Sequence, residues 1–360
     1  MKVTKFGNIV REVKVNVDRD NNPYEFYIAG DHLDSEDLTI HRKGKFSTDD
    51  VGPAFTRIFK PGQILYGSRR TYLKKIAVAD FEGICANTTF VLETKDDNVF
   101  LQRLLPFIML SDKFTEWSVS HSKGSTNPYV LFSDLASYEF ELPSLEEQRV
   151  LAEKLWAAYR LKESYKRLLA ATDEMVKSQF IEMFKDKKTN GKIADLVDTD
   201  IKSVKKSFNK DDLIEYIDIS SVNAKSRTLN ETTQYIVSSA PSRAQQCVQN
   251  GDILVSTVRP INRNVAVVDR DLTNLVASTG FCVLRPKDGY REYLLAIVTS
   301  DKYTDKMCDI ASGGLYPAVN NSDVLSYDIF IPDKDFLNRV TQIYRQADKS
   351  GSVLQHMIAC

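Results

Sequence analysis

Two stretches of the chain gather cationic, amide and hydroxyl side chains: Gly67-Ser68-Arg69-Arg70-Thr71-Tyr72-Leu73-Lys74-Lys75 and Ser256-Thr257-Val258-Arg259-Pro260-Ile261-Asn262-Arg263-Asn264. Such groups suit nucleic-acid recognition. Arg reaches guanine edges, Asn and Gln reach adenine, and Lys, Ser and Thr meet phosphate oxygens. Each stretch follows a strand-like Gly-Gln-Ile-Leu or Gly-Asp-Ile-Leu, so both read as basic hairpin loops in matching positions. Arg69, Arg70, Tyr72, Lys74, Lys75, Arg259, Asn262, Arg263 and Asn264 are therefore candidates for DNA contact. A second run, Ser120-His121-Ser122-Lys123-Gly124-Ser125-Thr126-Asn127, is small and polar enough to approach a phosphate backbone and adds Lys123, Ser125 and Asn127. Its counterpart is Ser312-Gly313-Gly314-Leu315-Tyr316. The competing readings are a solvated charged loop and a tight turn. His32 and His41, near Arg42 and Lys43, read as ordinary surface residues.

Catalytic patterns are fewer. Asp80 followed by Glu93-Thr94-Lys95 has the spacing of a metal-dependent nuclease, in which carboxylates hold a divalent ion and Lys supports the attacking water. The equivalent place in the second half has Leu284-Arg285-Pro286-Lys287, which removes the Glu. Asn127-Pro128-Tyr129 is one residue short of the Asn-Pro-Pro-Tyr signature of adenine methyltransferases, and no glycine-rich cofactor loop follows a strand. Pro317 persists where Asn127 becomes Tyr316, which suits a structural proline. There is no Walker A loop, so ATP hydrolysis is not expected of this chain.

The elements that must position these residues are organised by an internal repeat. Tyr27-Ile28 matches Tyr216-Ile217, Gly62 to Leu65 matches Gly251 to Leu254, Ile76 to Asp80 matches Val265 to Asp269, and Asp134 to Pro143 matches Asp323 to Pro332, all at an offset of 189 residues. A two-residue shift near Ala86 and Ala277 is the interruption. A period this long implies two self-supporting domains rather than the layers of a solenoid. Short β-branched runs bounded by Gly, Asp or Asn read as strands, and 100–119 with 291–310 carry helical spacing, so each copy is mixed α and β.

From Ser144 some forty residues lack Gly and Pro, predicting one helix about 60 Å long with Ser144 as its N-cap. Leu151, Leu155, Ala158, Tyr165, Leu169, Val176 and Met183 recur at coiled-coil spacing, weakened at Lys162 and Thr172. The expected partner is the segment after the second copy, with Val340, Ile343, Tyr344 and Ala347, paired antiparallel. The boundaries read as domain 1 over 1–143, long helix 144–186, domain 2 over 187–332 and a short helix over 333–360, interrupted near Ser350-Gly351-Ser352.

With 360 residues, 42% of them hydrophobic, 27% charged and a net charge of −1, the composition is that of an ordinary globular protein and neither supports nor excludes DNA. The start lacks the apolar core of a signal peptide, no run reaches the ~18 apolar residues of a membrane span, and five scattered cysteines suit reduced thiols. A cytoplasmic protein without disulfides or zinc is the expectation.

Domain, Gly124-Ser125-Thr126, Leu142-Pro143-Ser144-Leu145-Glu146-Glu147-Gln148, long helix, and then a second round with Gly251-Asp252-Ile253-Leu254: this layout resembles the DNA specificity subunits of type I restriction-modification enzymes over essentially the whole chain. The resemblance implies an α+β protein in which two target recognition domains, separated by long helices in an antiparallel coil, each read half of a bipartite double-stranded DNA site. It implies a non-catalytic subunit that docks two methylation subunits and, where the system has them, restriction subunits. S-adenosylmethionine, ATP and magnesium would belong to those partners, with no cofactor here. The second copy departs from the pattern at Gly313-Gly314-Leu315 and at Ile331-Pro332-Asp333-Lys334-Asp335-Phe336-Leu337, and its helix is short for the coil. Besides the nuclease, a coiled-coil scaffold binding proteins is the other alternative, and salt-sensitive DNA binding separates them.

Overall fold

In the computed structural model, residues 2–359 are described apart from 19, 20 and 225, without the side chains of residues 2, 348–353, 355, 356, 358 and 359. The chain divides into two compact units, residues 1–161 and 162–360.

In the first unit Val10–Glu12, Thr89–Thr94, Ile64–Gly67 and Ile76–Val78 lie side by side in an antiparallel sheet. A second sheet orders Gly44–Lys45, Phe26–Ile28, Gly83–Ala86 and Phe55–Phe59, with the middle pair parallel. The first sheet is buried on both faces because its alternation serves two cores. Ile64, Tyr66, Phe90 and Leu92 face Phe6, Leu105, Met109 and Phe114, whereas Leu65, Ala77 and Val91 face Ile28, Phe59 and Cys85 of the second sheet. Period-two side chains on a strand permit this division and produce the near-continuous apolar runs seen in the sequence.

The second unit repeats the plan. Val197–Asp198, Phe281–Pro286, Ile253–Ser256 and Val265–Val267 form the antiparallel sheet, and Thr233–Ile236, Leu213–Ile217, Leu275–Ser278 and Ala244–Cys247 form the mixed one. Even an irregularity recurs, since the register shift between Phe55 and Arg57 returns between Ala244 and Gln246. One detail of the sequence alignment is corrected by the strands. Ile28 pairs with Cys85 and Ile217 with Ala277, so Cys85 rather than Ala86 is the equivalent of Ala277, and the local shift is three residues. The loop just before the parallel strand, residues 268–274 against 79–82, absorbs it.

Helix α1 (Asp112–Ser120) begins at Ser111, whose hydroxyl accepts from Phe114 N at 3.3 Å. Helix α2 covers Leu145–Phe184. Its start is a capping box: Glu147 accepts from Ser144 N at 2.8 Å and Ser144 Oγ accepts from Glu147 N at 3.3 Å. One turn in, the fully buried Gln148 donates to Val99 O and Pro143 O at 3.1 and 3.0 Å and accepts from Leu101 N at 2.9 Å. Ala152, Trp156 and Tyr159 continue that face into the core of the first unit.

Helix α3 (Asp301–Ile310) repeats α1 down to its cap, with Ser300 accepting from Tyr303 N at 3.2 Å. Helix α4 runs over Lys334–Ala359 with Asp333 in the capping role of Ser144. It passes through residues 350–352 without the expected break. A single helical Gly costs only about 1 kcal/mol relative to Ala, and Leu354 beyond it is buried.

The second half of α2 meets α4 through rings: Phe184 lies 5.3 Å from Phe336, and Phe180 lies 5.1 Å from Tyr344. Moving forward along one helix moves backward along the other, so the pair is antiparallel as the sequence suggests. Val340 and Val176 are buried, Met183, Tyr344, Tyr165, Leu169 and Ile343 half-buried. Leu151 and Leu155 are instead exposed, because the first turns of α2 present Gln148, Ala152, Trp156 and Tyr159 to the domain and leave the proposed seam at the edge of that face.

Candidate nucleic-acid interface

The loop after Ile64–Gly67 is built on a single short 3-10 turn, Thr71–Leu73, flanked by Arg70 and Lys74 at φ 49° and 47°. In the second copy Pro260–Asn262 is flanked by Arg259 and Arg263 at φ 50° and 51°. Left-handed backbone at a residue with a Cβ costs on the order of 1–3 kcal/mol and persists where surrounding contacts impose it. Those contacts are visible. Arg70 N donates to Pro128 O at 2.7 Å and Arg259 N to Pro317 O at 2.7 Å, while Leu73 N and Asn262 N close the turn onto Arg70 O and Arg259 O at 2.9 Å.

The same bonds join the two polar runs into one surface. Lys123 and Tyr129 exchange backbone hydrogen bonds of 2.7 and 2.9 Å, as Ser312 and Ala318 do at 3.0 and 2.8 Å, and Val130 N and Val319 N donate to Ser68 O and Thr257 O. Gly124 and Gly313 turn the chain at φ 85° and 110°. In the Gly313 turn a Cβ would sit 3.0 Å from Tyr316 O, which explains why a glycine stands there. Pro128 and Pro317 thus hold the loops through their carbonyls, the structural role the sequence assigns them.

What the surface presents differs by residue. Arg69, Arg70, Tyr72, Ser125 and Asn127 are exposed in the first copy, and Arg259, Ile261 and Asn262 in the second. Among the described residues the guanidinium groups of Arg69 and Arg70 meet no acid, whereas Arg259 donates to Leu315 O at 3.1 Å and stacks 4.4 Å from the Tyr316 ring centroid. Lys123 reaches Asp134 at 3.3 Å, Lys75 Nζ donates to Gly30 O, and Asn264 is half-buried.

Lys74 and Arg263 are turned inward to the first residues of α1 and α3: Lys74 meets Asp112 at 2.8 Å and Arg263 meets Asp301. The hydrogen bond that Lys74 donates to Asp112 raises the Lys74 pKa and lowers that of Asp112. These two cations pin the loop to a helix. The signal was present in the sequence, since Ser-Asp-Lys recurs at 111–113 and 300–302.

The nuclease grouping does not assemble. Glu93 accepts from Arg11 Nε at 2.8 Å and from Gln63 Nε2 at 2.7 Å, and Lys95 Nζ donates to Gly7 O at 2.6 Å. Asp80 and Glu93 join no cluster of metal-ligating groups among the described residues. In the second copy the place of Glu93 belongs to Arg285, bonded to Asp252 at 2.9 and 2.8 Å, and the pair is a structural tie in both. His32 accepts from Ala29 N at 3.2 Å and His41 meets Asp37 at 3.3 Å, local contacts of a surface loop. No helix among the described residues is long and apolar enough to cross a membrane.

Residues 8–171 match the family model of the type I restriction modification DNA specificity domain. Over 116 residues the chain is 33% identical to the HindI type I restriction enzyme specificity subunit of Haemophilus influenzae, covering 31% of this chain and 25% of that protein. Over 193 residues it is 26% identical to the EcoDI specificity subunit of Escherichia coli, covering 52% of this chain and 42% of that one. The matched stretches span less than half of either relative. The S subunit of a type I restriction-modification system from M. genitalium has the same fold, with a TM-score of 0.55 at 11% identity over 99% of this chain and 93% of that one.

Proposed function

We propose that the chain is a DNA specificity subunit of the type I restriction-modification kind, as the match of residues 8–171 to that domain family supports, and that it reads a bipartite DNA site, one half by each unit. The observation that carries this reading is the repeated loop: Arg70 and Arg259 occupy the same left-handed position, held by the same bond to a proline carbonyl. A strained and exposed arginine retained in two copies with different side chains around it supports a role outside the fold. The near-neutral chain then binds by local cations rather than by overall charge.

On this reading the subunit does no chemistry. It works in the cytoplasm, and two methylation subunits docked on it carry S-adenosylmethionine and methylate adenine. Antiparallel pairing of α2 with α4 supports a coil that sets the gap between half-sites. Restriction subunits, with ATP and magnesium, would join the same assembly.

The test is co-expression with a methylation subunit and mapping of adenine methylation, with and without Arg69→Ala plus Arg70→Ala. A two-part motif with a fixed gap, relaxed in one half by that change and in the other by Arg259→Ala, is the expected result. Absence of any complex with a methylation subunit would remove the proposal and leave a protein-binding scaffold as the reading to pursue.

A further inference from the structure

The second copy carries at its candidate surface two exposed apolar side chains that the first lacks, beside a third, Ile261, whose counterpart Tyr72 is exposed as well. Leu315 is 86% exposed, Tyr316 67% and Ile261 65%, all beside Arg259. Leu315 and Tyr316 stand where the first copy has Thr126 and Asn127, both polar. Exposed apolar side chains scattered singly need no explanation, but three around one cation form a patch that does.

The patch is also held in place. Arg259 ties its guanidinium to the Leu315 carbonyl and the face of Tyr316. Ser312 and Ala318 clamp the base of the turn by two backbone bonds, and Gly313 supplies its positive φ of 110°. A leucine at the crest of a clamped turn has little conformational freedom left to lose on binding.

We propose that Leu315 and Tyr316 form an apolar wedge that enters double-stranded DNA and unstacks a base step, anchored by Arg259. The proposal rests on the reading of this surface as a DNA interface. DNA is the occupant the charges favour: the patch surrounds an exposed cation, whereas the adjacent Arg263 already has its acid in Asp301. Leu is among the side chains able to separate base steps, and an adjacent Arg meets the backbone or a groove edge. The first unit, with Asn127 and two arginines whose guanidinium groups meet no acid among the described residues, reads its half without unstacking. The two half-sites therefore differ in how their DNA is deformed, and base steps that unstack easily are favoured in the half read by the second unit.

The experiment uses the full chain with its methylation subunit and a duplex bearing the motif found by methylation mapping, probed with permanganate, which attacks unstacked thymines. Wild-type complex is expected to produce one hyperreactive step in the second half only. Leu315→Ala should return it to the level of free DNA and weaken binding about tenfold, while Leu315→Met retains both; thermal melting confirms that the exposed tip is not needed for folding. Hyperreactivity and affinity unchanged in Leu315→Ala, with Arg259→Ala still losing binding, would overturn the wedge and leave the DNA interface standing. Unchanged binding in both variants would overturn the interface itself. Loss of the methylation subunit from Leu315→Ala, with DNA affinity intact, would overturn the wedge in favour of a protein contact.

Discussion

The two copies agree in backbone and disagree in charge. In the first, Arg11 lies across the strand pair from Glu93, which also holds Gln63; in the second, Asp198 lies across from Arg285, which holds Asp252. The polarity of the arrangement is inverted, yet the job is the same. Gln63 accepts from Lys60 N at 2.8 Å and Asp252 accepts from Gln249 N at 3.0 Å, so each fixes the turn that leads into the arginine loop. Side chains beneath the loop are interchangeable provided the set changes together, whereas the left-handed arginine and its proline carbonyl are kept. The fold tolerates any satisfied network there, while the interface needs one particular geometry.

The sharpest way to break that equivalence is Arg285→Glu, which sets three carboxylates against one another with Asp252 almost fully buried. The second unit should lose about 3–5 kcal/mol, the cost of breaking a buried pair. Adding Asp198→Arg and Asp252→Gln imports the first copy's set and should restore most of it. Urea unfolding measures the change, and two thiols localise it. Burial pushes Cys85 and Cys282 up to about 12, so alkylation near pH 8 must wait for their units to open. Faster labelling of Cys282 with Cys85 unchanged is the expected pattern, and equal acceleration of both would contradict independent units.

Gln148 marks a second difference, because its equivalent in α4 is Leu337, packed among apolar neighbours. Gln148→Leu leaves Leu101 N, Val99 O and Pro143 O without their partner and should cost about 1–3 kcal/mol in the first unit. A neutral result in thermal melting would mean that water replaces the amide and that the helix start is held by the capping box alone.

At the surface, Arg70→Ala and Arg259→Ala should each cost about 1–3 kcal/mol of specific DNA affinity and relax only their own half-site. Lysine replacements sharpen the comparison. Among the described residues no ring lies beneath Arg70, so Arg70→Lys should retain more affinity than Arg259→Lys, which forfeits the stack on Tyr316. Titrations across salt concentration separate charge from stacking, since removing a cation from a phosphate flattens the salt dependence and removing a ring stack leaves it as it was.

Much of this was legible in the sequence. The duplication, the long helix with its Ser144 cap and the basic loops all follow from patterns local to the chain, because strand alternation, helix composition and turn residues act within a few positions. Less local facts were out of reach. Nothing in the spacing tells that α2 turns Trp156 rather than Leu155 to the domain, since both seams are apolar and tertiary packing decides between them. Lys74 and Lys75 look alike in the sequence, and the structure separates them: one reaches Asp112, 38 residues away, and the other the carbonyl of Gly30. The apolar tip at Leu315 was visible as a departure from Gly-Ser-Thr, but its exposure depends on the clamp formed by residues 312 and 318.

The ion pairs that pin the loops make the finest comparison. The Asp112 pKa is lowered by Lys74, so its contribution is present above the unfolded value near 3.8 and lost as pH falls through the lower folded one. The Lys74 pKa is raised, chiefly by its bond to Asp112, so its contribution is present below 10.5 and lost as pH rises through the higher folded value. The first loop is thus tied throughout the neutral range and loosens at both extremes. The second loop uses Arg263 in the place of Lys74, tied to Asp301. Relative to the parent protein, Lys74→Met should remove a small alkaline loss of stability from the first unit. The effect is modest because Asp112 is largely exposed and screened by salt. A tenfold loss of DNA affinity in Lys74→Met without any change in melting would instead return Lys74 to the DNA-contacting set, with Asp112 as the partner it leaves when DNA arrives.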